Sequence, residues 1–234
     1  MRRLVVALDG LCALRELAGR GGPDPAAAAT LAILAGAEAV QLAASDDARP
    51  VTEADLREVA RAAGALELRI AATPSLAKVA LEARPVRVVL AAESRAAALP
   101  GPLDLRTAGP GLPSTVRMLR DAGLRVTGLV APELEAVKAA HAVGVDAVDL
   151  WTGTSVDLPE PSRRAAFERL GDAARLAAKL RLDVGVAGGL GVRDLAAVLA
   201  AAPVAERVVV GRAFVARAVL VGVERAVRDL RDAL

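Results

Sequence analysis

The sequence is poor in aromatic residues: its 234 residues include one tryptophan, two phenylalanines and no tyrosine. A protein that stacks single-stranded nucleic acid on aromatic side chains is therefore almost excluded. The sequence also has no cluster of basic residues: arginine alternates with aspartate and glutamate along helix-like segments. The net charge is only +2. Such alternation is typical of solvated helix faces. We therefore expect no nucleic-acid partner.

Histidine and cysteine are nearly absent as well. The only cysteine, Cys12, excludes an internal disulfide, and one histidine with one cysteine cannot build a metal site of the His/Cys type. We expect no bound metal. The only histidine, His141, falls near the carboxyl end of a predicted helix, residues 132–142. There we expect a helix-end or surface role and no part in acid–base catalysis.

Long hydrophobic runs are missing too, since none approaches the roughly 20 apolar residues of a membrane-spanning helix. The first run, residues 4–8, is too short for the core of a signal peptide and is followed by Asp9, so it is interpreted as a strand. These features predict no membrane association, a cytoplasmic location and a reduced thiol at Cys12.

Short apolar runs alternate with longer helix-like segments along the whole chain. Asp24 before Pro25 predicts a helix start, as does Thr52 with Asp55 at capping-box spacing. The predicted strands are residues 4–8, 39–42, 66–71, 86–90, 125–130, 146–150, 183–186 and 207–210. The predicted helices are residues 25–34, a helix from 52, a helix from 73, and residues 114–121, 132–142, 162–180, 192–201 and 219–234.

This alternation predicts a parallel sheet, because each helix carries the chain back to the same edge. Eight such units in 234 residues fit the α/β class and a (β/α)8 TIM barrel with eight parallel strands. We expect a single domain over residues 1–234, with the Pro/Gly-rich residues 99–113 as a loop insertion. The alternative is an open doubly wound sheet, but no early Gly-x-Gly-x-x-Gly turn supports it.

Two glycine-rich loops follow the last two predicted strands, and they contain Gly188, Gly189, Gly211 and Arg212. In such barrels the site forms at the carboxyl ends of the strands, and these two loops frequently hold phosphate. Glycine lets backbone N–H groups approach an anion, a helix N-terminus adds a favourable dipole, and arginine adds a charged contact. We predict a phosphate site here; alternatively, the glycines only make tight turns.

Charged residues follow or end other predicted strands. Asp9 follows strand one and Glu93 follows strand four, and both are weak candidates for catalysis. Alternatively, Asp9 forms a structural ion pair, and Glu93 pairs with Arg95. Arg69 lies on strand three, and if it points into the barrel it needs a carboxylate partner, because an unpaired buried charge is costly. Asp9 or Glu93 could supply that carboxylate.

Two further features each have two interpretations. The adjacent Asp46 and Asp47 could hold a hard cation, but such a pair more often lies in a solvated loop. Trp151 follows strand six and either packs at the barrel rim or forms a wall of the pocket.

Several short stretches occur in one order from strand one to the last helix. They are Leu8-Asp9 with Ala13-Leu14-Arg15, Pro23-Asp24-Pro25 with Ala35-Gly36-Ala37, Asp46-Asp47 to Thr52, Glu93 with Arg95, Asp121-Ala122-Gly123, Trp151-Thr152-Gly153, Gly188-Gly189-Leu190 and Val210-Gly211-Arg212-Ala213. Their order and near-ungapped spacing resemble the pyridoxine 5'-phosphate synthase family of vitamin B6 synthesis. The resemblance implies the same barrel, a homo-oligomer, no cofactor, and condensation of 1-deoxy-D-xylulose 5-phosphate with 3-amino-2-oxopropyl phosphate.

The resemblance also marks where the chain departs from the family. The family's catalytic groups are two histidines and a glutamate. The histidine positions correspond to Ala43 and Gly188, and the glutamate position corresponds to Arg69, or to Ile70 if the alignment gap near strand three is placed differently. Other family side chains are replaced at Ala7, Gly10, Ser45, Trp151 and Arg212. The residues that match are Asp9, Arg49 and Thr152, which the resemblance makes substrate-binding, with Gly153, Gly189 and Gly211. We predict a divergent member that keeps its anion site and lacks the acid–base groups, each typically worth about 10²–10⁴-fold in rate.

Three functions follow from this prediction. The first is a non-catalytic paralogue that still binds a phosphorylated small molecule, as a sensor or as a partner of a true synthase. The second is an enzyme acting on another phosphorylated small molecule. The third is an ordinary synthase with an atypical residue set, and a purely structural subunit is the remaining alternative. We favour the first.

Overall fold

A computed structural model describes residues 2–92, 101–107, 109, 111–153 and 155–234. Eight parallel strands pair in sequence order, and the eighth pairs with the first, so the sheet closes on itself. The strands are β1 (Arg3–Ala7), β2 (Ala39–Ala43), β3 (Leu66–Ile70), β4 (Arg87–Leu90), β5 (Arg125–Val130), β6 (Ala147–Trp151), β7 (Asp183–Ala187) and β8 (Arg207–Val210). The predicted (β/α)8 TIM barrel is confirmed.

Ten α-helices occur within the described part of the chain and connect the strands. They are α1 (Asp9–Ala18), α2 (Pro25–Leu34), α3 (Glu53–Ala63), α4 (Pro74–Ala83), α5 (Leu112–Asp121), α6 (Leu134–Val143), α7 (Ser162–Lys179), α8 (Val192–Ala201), α9 (Arg212–Val221) and α10 (Val223–Arg231). None of these helices is both long enough and apolar enough to cross a membrane.

The predicted helix starts are confirmed by side-chain caps. Asp24 accepts a hydrogen bond from the backbone N–H of Ala26 (2.9 Å), with Pro25 in the first turn of α2. Thr52 and Asp55 form a complete capping box at the start of α3. These caps satisfy N–H groups that have no partner within their helix, and they fix where each strand–helix loop ends.

Two helix predictions need correction. Asp9, predicted to follow a strand over residues 4–8, is the first residue of an additional helix, α1, and a single residue, Leu8, connects that helix to β1. The predicted terminal helix over residues 219–234 is instead α9 and α10, which are separated at Gly222. Gly222 has a φ of +85°, which residues with a side chain rarely adopt, and this turn ends α9.

Most of the apolar core lies between the strands and the surrounding helices. Leu4, Val6, Leu42, Leu68 and Phe214 are all completely buried there. Alternate residues on each strand point the other way, into the barrel, since successive side chains of a strand face opposite sides. Those inward positions include polar residues, and they form the candidate site and its support.

Candidate functional site

A cavity of about 430 Å³ opens where the carboxyl ends of the strands meet. Its wall includes four alanines that end or follow β1, β2, β4 and β7: Ala7, Ala43, Ala91 and Ala187. The interior of such a barrel is usually filled by layers of bulky branched side chains. Here the small side chains leave the last layer open, which creates room for a small molecule.

The four predicted phosphate-binding residues all line this cavity: Gly188, Gly189, Gly211 and Arg212. Gly188 has a φ of +103° and Gly189 a φ of +70°, a backbone conformation that favours glycine. A Cβ at Gly188 would also overlap the indole of Trp151. The loop after β7 therefore needs glycine for its conformation and for the close approach of the tryptophan.

The two helices that follow the glycine-rich loops, α8 and α9, differ in how their N-termini are capped. The backbone N–H of Gly191, at the start of α8, donates to the Asp194 carboxylate (2.9 Å). The start of α9 at Gly211 has no side-chain cap, although the first N–H groups of a helix lack partners within it. Arg212 beside it is exposed. The start of α9 is therefore the better suited of the two to an anion.

Deeper in the cavity, Arg69 and Asp9 form an ion pair between β3 and α1. Arg69 Nη2 donates to Asp9 Oδ2 (3.0 Å), and the side chains are 13% and 19% exposed. The backbone N–H of Ala43 donates to the other oxygen of Asp9 (2.6 Å). The prediction that an inward Arg69 takes a carboxylate partner is confirmed, and Asp9 supplies it. The alternative partner and weak catalytic candidate, Glu93, lies outside the described residues, as does Arg95.

Gln41 connects this ion pair to a second group of charges below it. Its side chain accepts from Arg69 Nη1 (3.2 Å) and donates to Glu67 (3.2 Å). Glu67 in turn contacts the guanidinium of Arg207, which also contacts Asp149. Glu67, Asp149 and Arg207 are each no more than 4% exposed. Burial alone would lower the pKa of Arg207, but the charges of Asp149 and Glu67 outweigh burial and raise it, so the arginine stays protonated.

Arg87 completes the buried group from β4. It lies 3.5 Å from Glu67 and donates to the Thr127 hydroxyl (2.6 Å). Burial and the nearby charge of Arg207 lower the pKa of Arg87 from its ordinary value. Sequence reasoning missed this group. The available signal was the charged residues within the predicted strands, of which only Arg69 was used.

Trp151 lines the cavity and is only 7% exposed. Its indole packs so closely against the loops after β6 and β7 that a Cβ at Gly153 or Gly188 would overlap it. Of its two interpretations, the structure supports the pocket wall. The tryptophan therefore forms the cavity wall beside these loops.

Arg49, Asp46 and Asp47 lie at the exposed rim, on the loop between β2 and α3. Arg49 is 3.6 Å from Glu16, and its backbone N–H donates to Asp47 (3.3 Å). The Ser45 hydroxyl, together with that N–H, lowers the pKa of Asp47. Asp47 thus shapes its own loop, and Asp46 accepts a hydrogen bond from Ser75 of α4 (2.8 Å). Across the described ranges, no group of three or more His, Cys, Asp or Glu side chains is placed to hold a metal ion.

Thr152 has contacts that differ from its predicted role. It is completely buried, and its hydroxyl donates to the carbonyls of Ala187 (3.2 Å) and Gly188 (2.5 Å). It is not among the described residues that line the cavity. A direct contact between Thr152 and a substrate therefore stays a prediction, and the observed contacts hold the β7 loop in place.

His141, for which no part in acid–base catalysis was expected, and Cys12, the single cysteine, both lie outside the cavity lining. His141 is exposed in the last turn of α6, which leads into the opposite end of β6. Cys12 is completely buried on α1, and burial raises the pKa of its thiol to about 12. Neither residue lines the cavity.

Comparisons with known proteins extend over nearly the whole chain. The family model described as pyridoxal phosphate biosynthesis protein PdxJ matches residues 4–234. The pyridoxine 5'-phosphate synthase of Geobacter metallireducens is 35% identical over 235 residues, which cover 99% of this chain and 98% of that protein. The pyridoxine 5'-phosphate synthase of Desulforapulum autotrophicum is 36% identical over 235 residues, covering 98% and 97%.

Solved structures with little sequence similarity share the fold. A thiamine phosphate pyrophosphorylase from Pyrococcus furiosus has a TM-score of 0.62 at 15% identity, covering 99% of this chain and 94% of that one. A structure described as native KDPGal has a TM-score of 0.67 at 15% identity, covering 98% and 93%. At this level of identity the likeness shows the barrel alone.

Proposed function

The chain belongs to the family of pyridoxal phosphate biosynthesis protein PdxJ, and from this premise we propose that its barrel binds a phosphorylated small molecule without carrying out the condensation expected of a pyridoxine 5'-phosphate synthase. The phosphate lies against Gly188, Gly189, Gly211 and Arg212, with Asp9 deeper in the cavity and Arg49 at its rim. The protein acts as a sensor of such a molecule or as a partner of a true synthase.

The observation that carries this proposal is the uncapped start of α9 beside Arg212, on the wall of a cavity large enough for a small molecule. Unpaired N–H groups, the helix dipole and a guanidinium together favour a phosphate. In contrast, the side chains at the positions implied for acid–base catalysis are Ala43, Arg69 and Gly188. Alanine and glycine have no proton to transfer, and arginine stays protonated at neutral pH.

The second candidate function is an ordinary pyridoxine 5'-phosphate synthase with an atypical residue set. The identity of 35–36% over nearly the full length of two such synthases favours it. An enzyme with another phosphorylated substrate would use Asp9, Glu93 or the substrate's own phosphate as its base. Both oxygens of Asp9 already accept hydrogen bonds from Ala43 and Arg69, which argues against that role.

Calorimetric titration with inorganic phosphate and 1-deoxy-D-xylulose 5-phosphate tests the proposed site. We expect both to bind, and Arg212→Gln to weaken phosphate binding about tenfold, because one charge-assisted hydrogen bond is lost. Arg57→Gln, on the outer face of α3 and 63% exposed, is the matched control and keeps wild-type affinity. No binding of either ligand to the wild type contradicts the proposal.

An assay of product formation distinguishes the candidate functions. Purified protein receives both family substrates, and pyridoxine 5'-phosphate is measured by chromatography. We expect no product above the uncatalysed background. Turnover comparable to that of the Geobacter metallireducens synthase, assayed in parallel, would support the second candidate and contradict the first.

We also propose that the protein forms a homo-oligomer through apolar residues of α1 and α9, two helices that pack together. Leu17 is 86% exposed near the end of α1, and Val219 and Leu220 are 66% and 79% exposed near the end of α9. Large exposed apolar side chains on neighbouring elements are typical of protein contact surfaces.

A further inference from the structure

We propose that the cavity selects phosphorylated ligands whose end remote from the phosphate is a neutral carbonyl or hydroxyl group, and discriminates against ligands with an ammonium group at that end. This inference rests on the proposed phosphate site and adds the chemical class of its ligand. It follows from the charges that line the depth of the cavity.

The two carboxylates in the depth of the cavity already have their charges offset. Asp9 lies 3.0 Å from the Arg69 guanidinium, and Asp149 contacts the guanidinium of Arg207. A buried ammonium group is costly unless an opposite charge pairs with it. In the described part of the cavity wall, neither deep carboxylate can pair with an ammonium group of a ligand without giving up its contact with arginine.

Arg69 itself favours an acceptor. Its observed hydrogen bonds, to Asp9 and Gln41, use two N–H groups, and a guanidinium carries more than two. Arg69 lines the cavity, so the remaining donors suit a carbonyl or hydroxyl oxygen of a ligand. A guanidinium has no acceptor to offer an ammonium group, and the two positive charges repel each other.

The remaining carboxylates of the described wall do not change this balance. Asp46 and Asp47 are exposed at the rim, where they accept hydrogen bonds from Ser75 and Ser45. Water and salt screen charges at such positions. The phosphate site on α9 is also at the rim and follows β8, which is three strands from β3 around the barrel. Arg69 and the phosphate site line the same cavity, so a ligand held by its phosphate can extend its other end to Arg69.

Matched pairs of ligands test this selectivity by calorimetry: 2-hydroxyethyl phosphate with 2-aminoethyl phosphate, and 3-hydroxypropyl phosphate with 3-aminopropyl phosphate. Inorganic phosphate is the reference. In at least one pair we expect the wild type to bind the hydroxyl compound about tenfold more tightly, or better, than the amino compound. Arg57→Gln and Arg61→Gln, both exposed on α3, are controls that keep this ratio.

Two substitutions identify the residue responsible. Arg69→Gln removes the guanidinium and frees Asp9, so we expect the hydroxyl compound to lose affinity and the amino compound to gain it. A merely structural role would weaken both ligands together. Arg69→Lys keeps the positive charge, and we expect it to keep the preference for the hydroxyl compound. This variant tests the role of the charge even if Arg69→Gln does not fold.

The outcomes separate this inference from the proposed function. Equal affinities within both pairs, with inorganic phosphate still bound, overturn the selectivity and leave the phosphate site standing. A folded Arg69→Gln protein with the wild-type ratio shows that Arg69 is not the determinant. Absence of all phosphate binding overturns the proposed function and the selectivity with it.

Discussion

Arg207 holds a positive charge in the middle of the barrel, where the residue is only 3% exposed. Two carboxylates from other strands, Glu67 on β3 and Asp149 on β6, contact its guanidinium. Gly185 on β7 makes this arrangement possible, because a Cβ there would overlap a carboxylate oxygen of Asp149. A partnered charge of this kind is tolerable, but each member depends on the others.

Replacing Arg207 by methionine leaves Glu67 and Asp149 without their common partner. We expect Arg207→Met to lower the free energy of unfolding by about 3–5 kcal/mol, the usual effect of breaking a buried ion pair. Arg125→Met is the matched control, since Arg125 is 50% exposed and pairs with the half-exposed Asp183, and its cost is about 0–1 kcal/mol. Urea unfolding measures both. Equal losses would contradict the structural role given to Arg207.

Among the elements, α1 and α3 are joined through one carboxylate. Arg15 of α1 donates to both oxygens of Asp55 on α3, and the Thr52 N–H donates to Asp55 Oδ2 (2.8 Å) in the capping box. Burial by itself would raise the pKa of Asp55. The hydrogen bonds from Arg15 and Thr52 and the charge of Arg15 outweigh burial, so the pKa of Asp55 lies below its ordinary value.

This lowered pKa predicts how stability depends on pH. The stabilisation from Asp55 is complete above the pKa of an aspartate in the unfolded chain, about 3.9, and is lost as pH falls through the lower pKa of the folded state. We expect Asp55→Asn to destabilise the protein at pH 7, with a difference from wild type that shrinks below about pH 4. Urea unfolding at a series of pH values measures it.

The control for this pH series is Glu53→Gln, in the first turn of the same helix. Glu53 is 78% exposed and lies 3.8 Å from Arg57, so its loss is expected to cost little at any pH. A difference between Asp55→Asn and wild type that stays constant down to pH 3 would contradict the role of the Arg15–Asp55 pair.

The elements that were predicted accurately have strong local signals. Residues 25–34, 125–130, 192–201 and 207–210 match α2, β5, α8 and β8 to the residue. Two signals that mark α2, Asp24 and Pro25, act within one turn of the chain. α1 was missed because it follows β1 after one residue, without a polar loop or a side-chain cap to mark its start.

For the molecule as a whole, we expect the wild type to have a mass that is a multiple of that of one chain in size-exclusion chromatography with light scattering. Val219→Ser with Leu220→Ser should reduce that mass at micromolar concentration, because the apolar contact is weakened. Val86→Ser, at a half-exposed residue before β4, is the control and should leave the mass unchanged. A monomeric wild type would contradict the proposed oligomer.

The candidate site could be predicted only where the fold itself dictates position. The closed barrel brings the ends of β7 and β8 to one opening, so the sequence positions of Gly188 and Arg212 were enough to predict that they lie there. That an inward Arg69 takes a carboxylate partner followed from the cost of a buried charge, and the structure identifies Asp9 rather than Glu93 as that partner. The contact of Glu67 with Arg207 joins residues 140 positions apart and depends on strand register and side-chain length, which no local pattern encodes.

The four alanines around the opening imply that its capacity is set by side chains alone. The strands there keep their regular hydrogen bonding. Replacing an alanine methyl group by a larger or polar side chain therefore changes the shape of the space open to a ligand, while the path of the backbone stays the same. One framework can thus be fitted to molecules of different shape by a handful of replacements. Chemistry can be lost or acquired at such an opening while the architecture beneath it persists.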